Sequence, residues 1–308
     1  MRKIMKAPHQ LPTLEQLKPH LPLLASLKLN GVRGRLEEGV SYSSSGKVHR
    51  NVHVQNWFER LMVGMDDCIV DGEIYSPTVR GVQLSGICNS YRKELPPDVG
   101  FHVFDMLTRD EWYKGGEPDF GYRYLRMKQH AGLCEHARRE QEQERVCVIP
   151  QHPISFVEHL TPWLETIWAD GGEGLMVRTY TGKYKHGRAT FREANIWKLK
   201  QYDLYVGTLV DIEAQTTIAE EAVRERDQFG HLKQPGRKAD RAELPAAGVL
   251  ICRLSDGTEM RVGAGLTKAQ RAQIWNGWPI DRGRRLKIKA SVLDMKDKHI
   301  QTSFVGWC

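Results

Sequence analysis

The stretch Leu27–Arg33, reading L-K-L-N-G-V-R, constrains this chain more than any other. Short apolar pieces flank it, so it joins two strands. Gly31 lets the connecting backbone turn sharply or pass close to a neighbour. Lys28 stands between two leucines. A lysine amine attacks a phosphoryl or carbonyl centre only when neutral, a state that burial and nearby cations favour. Arg33 offers a planar fork of donors for phosphate or carboxylate oxygens. Alone, the stretch reads equally as a strand end with a lysine reaching to solvent, and the segments downstream decide between the two.

The 308 residues suggest one large domain or two, and 40% hydrophobic residues suffice for real cores. A net charge of +7 and a pI near 9.0 fit an anionic partner. No apolar run reaches the about 18 residues of a membrane span, so no membrane association is expected. Met1–Gln10 is basic but has no apolar core, so no secretory signal is expected either. The six cysteines form no C-x-x-C pair. They read as reduced thiols of a cytoplasmic protein, not as a zinc site or a disulfide framework.

Residues 1–22 read as an arm packed on the first domain. Trp57–Met65 suits a helix, Cys68–Tyr75 a strand, and Phe101–Leu107 a buried strand ending at an acid. Tyr122–Gln143 reads as a charged amphipathic helix or pair of helices. Phe156–Trp168 has helical spacing, broken by Gly171-Gly172, and Gly174–Thr179 and Ile196–Leu199 read as strands. Composition shifts after Tyr202. Tyr205–Ile212 reads as a strand, and Glu213–Pro245 as a long charged insert, mobile or dependent on a partner. Strands return at Gly248–Leu254 and Glu259–Val262. Thr267-x-x-Gln270 predicts a capped helix to Trp275. In Arg285–Val292 the residues Leu286, Ile288, Ala290 and Val292 share one face and Lys287 and Lys289 the other. Short strands, one helix and a basic face suggest a small OB-type β-barrel.

Five further segments stand in order after Lys28. Asp71-Gly72-Glu73-Ile74 puts acids on a strand end. Phe101–Asp105 sets Phe104, able to stack on a base, beside Asp105. Glu173-Gly174-Leu175-Met176-Val177-Arg178 opens a strand with a carboxylate suited to Mg²⁺. Tyr184-Lys185-His186-Gly187-Arg188 is a basic loop. Ile196-Trp197-Lys198-Leu199-Lys200 places two ammoniums on one strand face, where they could hold a phosphate. Each segment alone is also an ordinary acidic turn, core strand or solvated edge; their order carries the meaning.

That order resembles the covalent nucleotidyltransferases: ATP-dependent DNA ligases, RNA ligases and mRNA capping enzymes. The run Glu173–Asp203 is most similar to the small viral and phage DNA ligases. The resemblance implies an α+β fold. A nucleotidyltransferase (ATP-grasp-like ligase) domain with antiparallel sheets and flanking helices would cover 1–201. An OB-fold β-barrel would cover 202–308, with a clamp-like insert near 213–245. It implies an enzyme that seals nicks in duplex DNA. Lys28 would carry AMP, Arg33 and Glu73 would hold the ribose, and Phe104 would stack on adenine. Lys198 and Lys200 would hold the phosphates, and Glu73 and Glu173 would serve the metal. ATP and Mg²⁺, or Mn²⁺ in its place, are the expected cofactors. Nicked double-stranded DNA is the expected partner, met through Asn30, Ser44, Lys47, Arg50, Lys185 and Arg188. A monomer in the cytoplasm is expected, the host's if the source is viral.

Three departures from the family pattern bear on activity. Asn30 replaces an aspartate, and Ser44 stands where many ligases carry an arginine. The C-terminal stretch F-V-G-W-C lacks the family's pyrophosphate-orienting arginine, with only Lys296, Lys298 and His299 as substitutes. An RNA ligase, a capping-type nucleotidyltransferase and a catalytically weakened nick-binding protein therefore stay open as alternatives.

Overall fold

The computed structural model describes residues 2–61, 67–130, 145–219, 226–229, 241–293 and 299–308. The chain divides into two compact units, Met1–Lys200 and Gln201–Cys308. The fold is α+β, with antiparallel sheets and few helices. Among the described residues no helix is long and apolar enough to cross a membrane.

The first unit begins with a short helix α1 (Leu14–Leu17), closed by a Thr13–Gln16 capping box. There follow β1 (Leu23–Leu27), β2 (Val32–Glu37), β3 (Val40–Tyr42), α2 (Val52–Leu61), β4 (Cys68–Tyr75), α3 (Gly81–Cys88) and β5 (Gly100–Thr108). Then come α4 (Arg109–Lys114), α5 (Phe120–Gln129), β6 (Arg145–Val148), β7 (His152–Ile154), α6 (Leu160–Ala169), β8 (Gly174–Thr179) and β9 (Ile196–Lys200). They form two sheets. One is antiparallel with strand order β7-β1-β8-β9. The other runs β3-β2-β4-β5-β6, parallel only between β5 and β6. Leu27 ends a strand of the first sheet and Val32 begins a strand of the second, so the lysine motif crosses from one sheet to the other.

Each sheet has its own core. On the five-stranded sheet, Val54, Trp57, Phe58 and Leu61 of α2 pack with Phe101 and Val103. Their i, i+3, i+4, i+7 spacing gives α2 a single apolar face. The helix starts five residues before the expected Trp57, because the Asn51 side-chain oxygen accepts from the N–H groups of His53 and Val54 and caps a polar first turn. Its expected end at Met65 lies outside the described residues, as does the Ala131–Gln143 part of the expected helix pair. On the other sheet, Leu160, Leu164 and Ile167 of α6 cover Leu175, Val177 and Trp197. Residues Val157–His159 form a tight 3-10 turn, and the α-helix proper begins at Leu160, with Pro162 in a first turn that needs no N–H from it.

The second unit is a five-stranded antiparallel sheet, completed by one helix. Its elements are β10 (Asp203–Ile218), β11 (Arg241–Arg253), β12 (Glu259–Val262), α7 (Lys268–Gly277), β13 (Arg285–Leu293) and β14 (His299–Trp307), in strand order β12-β11-β10-β13-β14. Leu286, Ile288 and Ala290 are fully buried beneath the sheet. The Thr267 capping box opens α7. Among the described residues no continuous ladder closes the expected barrel. A single bridge, Ala264 to Ser303, joins its edges.

The insert expected over Glu213–Pro245 as mobile or dependent on a partner is strand at both of its ends. Glu213 to Ile218 pair with Val249 back to Arg241, so both flanks extend β10 and β11 as a long hairpin. Thr216, Thr217 and Ile218 are β-branched and favour this pairing. Residues 220–225 and 230–240, including Arg224, Lys233, Arg237 and Lys238 of the expected clamp, lie outside the described residues.

Candidate active site

Two glycines fix the geometry around Lys28. A Cβ on Gly31 would come within 2.3 Å of the Ile74 carbonyl oxygen, so only glycine lets this connection press against β4. Gly174 has φ +143 and lies so close to Leu199 that a Cβ would meet its carbonyl at 2.0 Å. The Lys28 N–H donates to the Gly174 carbonyl at 2.8 Å, which sets Lys28 beside Glu173. Lys28 Nζ lies 2.5 Å from Glu173 Oε2, and Lys200 Nζ lies 4.0 Å from Glu173 Oε1.

The register Gly174–Lys200 and Met176–Lys198 places Lys198 and Lys200 on one face of β9. Burial, then Lys200, Lys28 and Arg188, hold the Lys198 ammonium down to about 8, against a smaller opposing pull from Glu173. Burial lowers Lys200 as well, with Glu173 acting against it.

The five-stranded sheet supplies the facing side. Arg33 Nε and Nη2 fork onto Asp71 at 2.7 and 2.6 Å, and its guanidinium lies 4.3 Å from the Phe104 ring centroid. Burial disfavours the Arg33 charge, but Asp71, with Tyr184 and Glu73, outweighs burial and holds the guanidinium above its ordinary value. Burial pushes the Glu73 carboxyl up to about 7, against Arg33 and Lys28. Lys28, Arg33, Glu73, Phe104 and Lys198 line one cleft of about 250 Å³, and Ser44 and Arg188 line it too.

Beneath the cleft, Asp105 is fully buried. Arg123 Nε and Arg178 Nη1 each donate to it at 2.7 Å. Burial alone would raise the Asp105 carboxyl, yet the two guanidiniums hold it below the usual carboxylate range.

The remaining expected residues fall elsewhere. Lys185 pairs with Glu193 at 2.5 Å, and neither it nor Lys47 nor Arg50 lines the cleft. Asn30 is exposed and lies against Gly81, the first residue of α3, where a Cβ would meet its side-chain oxygen at 2.4 Å. One face of Phe104, expected to stack on adenine, carries the Arg33 guanidinium. Lys296 and Lys298 lie outside the described residues. Sequence reasoning quoted Asp71 and Tyr184 within their segments but gave no role to Asp71, which anchors Arg33, or to Tyr184, which donates to Asp71, and it left out the segment Met5–Ala7, which lines the cleft. Asp71 stood in D-G-E, but no local signal marked Met5–Ala7.

A sequence profile described as "ATP dependent DNA ligase domain" matches residues 22–200. The chain belongs to the ATP-dependent DNA ligase family. Its fold is that of solved ligases at low sequence identity. A structure from work on Lig E DNA ligases superposes with a TM-score of 0.68 at 18% identity, over 100% of both chains. Chlorella virus DNA ligase-adenylate gives 0.56 at 21%, over 100% of this chain and 98% of that one. The ATP-dependent ligase of bacteriophage T7, in complex with ATP, gives 0.52 at 15%, over 99% and 98%. No curated protein sequence matches this ligase-family chain.

Proposed function

We propose that the protein seals nicks in duplex DNA through three phosphoryl-transfer steps at this cleft. In the first, Lys28 Nζ attacks the α-phosphorus of ATP. The bond from that phosphorus to the bridging oxygen breaks, pyrophosphate leaves, and AMP stays on Nζ. Glu173, 2.5 Å from Nζ, is placed to take the ammonium proton. Lys198 and Lys200 stabilise the charge that grows on the phosphate oxygens. In the second step a 5′-phosphate oxygen at the nick attacks the AMP phosphorus and the bond to Lys28 breaks. In the third the 3′-hydroxyl attacks the 5′-phosphate, and AMP leaves. The observation that carries this reading is Glu173 set between Lys28 and Lys200, beside a cleft that Lys28 and Lys198 line together with Arg33, Glu73 and Phe104.

The donor set fits a divalent ion only as one carried largely by phosphates and water. Glu73 and Glu173 offer two carboxylates, and no cluster of three or more His, Cys, Asp or Glu stands ready among the described residues. Mg²⁺, or Mn²⁺, would be held there with the phosphates of ATP and supplies charge neutralisation. We assign DNA contacts to Ser44 and Arg188 in the cleft and, farther out, to Asn30, Lys47, Arg50 and Lys185. The β10–β11 hairpin is the candidate clamp around the duplex. Every side chain invoked comes from one chain, so a monomer suffices.

A sealing assay on nicked duplex DNA tests the reading. Closure with ATP, but not with GTP and not on RNA ends, is expected. Joining of RNA ends would favour an RNA ligase, use of GTP a capping-type enzyme, and nick binding without lysyl-AMP a non-catalytic protein. Replacing residues 219–240 by a short turn is expected to weaken nick binding and flatten its salt dependence. An unchanged salt slope would remove the clamp assignment.

A further inference from the structure

The segment Lys3–Ala7 belongs to no family motif, yet Met5, Lys6 and Ala7 form part of the cleft wall. The segment is fixed from two sides. On one, Lys6 bridges in parallel to Arg188. Its N–H donates to the Gly187 carbonyl at 2.8 Å, and its carbonyl accepts from Ala189 at 2.8 Å. The Arg188 guanidinium donates to the Ala7 carbonyl at 2.7 Å. On the other side Met5 completes a ring of hydrogen bonds. Its N–H donates to the Tyr184 hydroxyl at 3.1 Å, and that hydroxyl donates to Asp71 at 2.7 Å. Arg33, forked on the same Asp71, donates to the Met5 carbonyl at 3.1 Å. Ile4 and Met5 are buried, so the backbone leading into Lys6 is anchored.

The charge around Lys6 is one-sided. Burial, then Arg33, Arg188 and Lys3, hold its ammonium below the ordinary lysine range. Arg188 acts on Lys198 as well, so cations follow one another along the cleft from Arg33 past Lys6 and Arg188 to Lys198. Lys28 and Arg33 have acidic partners, Glu173 and Asp71. Like charges gathered in a half-buried cleft repel one another, and a bound anion relieves that repulsion.

We propose that Lys6 is a phosphate-binding residue of this cleft, held in place by the N-terminal segment and outside the six family motifs. The proposal rests on the nucleotide-cleft reading above. Two sources supply the phosphate: the polyphosphate of ATP in the first step, and the 5′-phosphate of the nick in the later two.

The experiment compares wild type, Lys6→Ala and Lys6→Arg in the full-length protein. Lysyl-AMP formation is measured across ATP concentration with Mg²⁺, and single-turnover closure is measured on a pre-adenylated nick. Wild-type lysyl-AMP formation is scored first; its failure refutes the nucleotide reading and the inference with it. If ATP is the source, Lys6→Ala raises KM for ATP by about 10- to 100-fold, Lys6→Arg recovers most of the loss, and closure is unchanged. If the nick phosphate is the source, closure slows by a similar factor, Lys6→Arg again restores it, and KM for ATP is unchanged. Lys6→Gln keeps most of the stem and replaces Lys6→Ala should the alanine variant lower the unfolding midpoint. With wild type active, the inference is overturned if a folded neutral variant matches wild type in both assays, or if Lys6→Arg is as defective as the neutral variant.

Discussion

Asp105 lies between Arg123 and Arg178, and Glu173 lies between Lys28 and Lys200. Asp105 is wholly buried, with each guanidinium at 2.7 Å. Glu173 keeps 16% of its side chain exposed, with one ammonium at 2.5 Å and the other at 4.0 Å. Arginine stays charged at any working pH and presents a rigid fork, whereas lysine is a flexible point charge that can give up its proton. The first arrangement is therefore permanent and ties β5, α5 and β8 together. The second is openable, and a substrate phosphate can compete for its lysines. The same pairing of one acid with two cations serves the fold in one place and, in the proposed function, chemistry in the other.

Breaking the closed arrangement has the largest expected effect. Asp105→Asn leaves two buried guanidiniums without a counter-charge and is expected to cost about 3–5 kcal/mol of stability by denaturant unfolding. The sign with pH follows from the depressed folded-state value of Asp105. Its contribution is full above the unfolded carboxylate value of about 3.9 and is lost as pH falls through the lower folded value.

Breaking the open arrangement has the opposite profile. Glu173→Gln is expected to change stability by about 1 kcal/mol or less. Lysyl-AMP formation is expected to slow by roughly 100-fold or more. A large loss of stability with little loss of rate would erase the distinction between the two carboxylates.

Lys198 sharpens the comparison through pH. Held near 8, it is mostly charged at pH 7 and loses its charge as pH rises past that value. ATP affinity is expected to fall by roughly 10-fold from pH 8 to pH 9, and Lys198→Arg, which keeps its charge, is expected to flatten that fall. A KM for ATP that tracks pH identically in both proteins would remove Lys198 from the phosphate site.

The smallest expected effect concerns Asn30, at the exposed end of the same motif. It sits against Gly81 at the start of α3, where a carboxylate is favoured by the N-terminal end of the helix. Asn30→Asp is expected to speed closure of a pre-adenylated nick by about 10-fold, or about 1.4 kcal/mol of barrier, with lysyl-AMP formation unaltered. Equal or slower closure would mean that the site is tuned to the amide.

What was legible in the sequence is what local chemistry dictates. β4 and β8 start and end at the residues expected from their short segments, and Thr267 begins α7 through a capping box within four residues. Lys28, Arg33, Glu73, Phe104 and Lys198, named from short segments spread over the first unit, stand around one cleft. What escaped depends on distant partners. Met5 meets Tyr184 and Arg33 only through the fold, so neither its type nor its spacing announces it. Arg123 lies on the polar-looking helix α5 and reveals its role only where it meets Asp105. The hairpin flanks were hidden because Thr216–Ile218 face partners of mixed polarity and show no apolar alternation.

Lys28 as the nucleophile, released from Glu173 when ATP enters, is the assignment on which the three-step reading stands. Incubating the protein with ATP and Mg²⁺, measuring its intact mass and then mapping its peptides puts that assignment to the test. One added AMP per chain is expected, on the peptide that contains Lys28, and none in Lys28→Ala. Modification that persists in Lys28→Ala, or that maps to another lysine in the wild type, would contradict it.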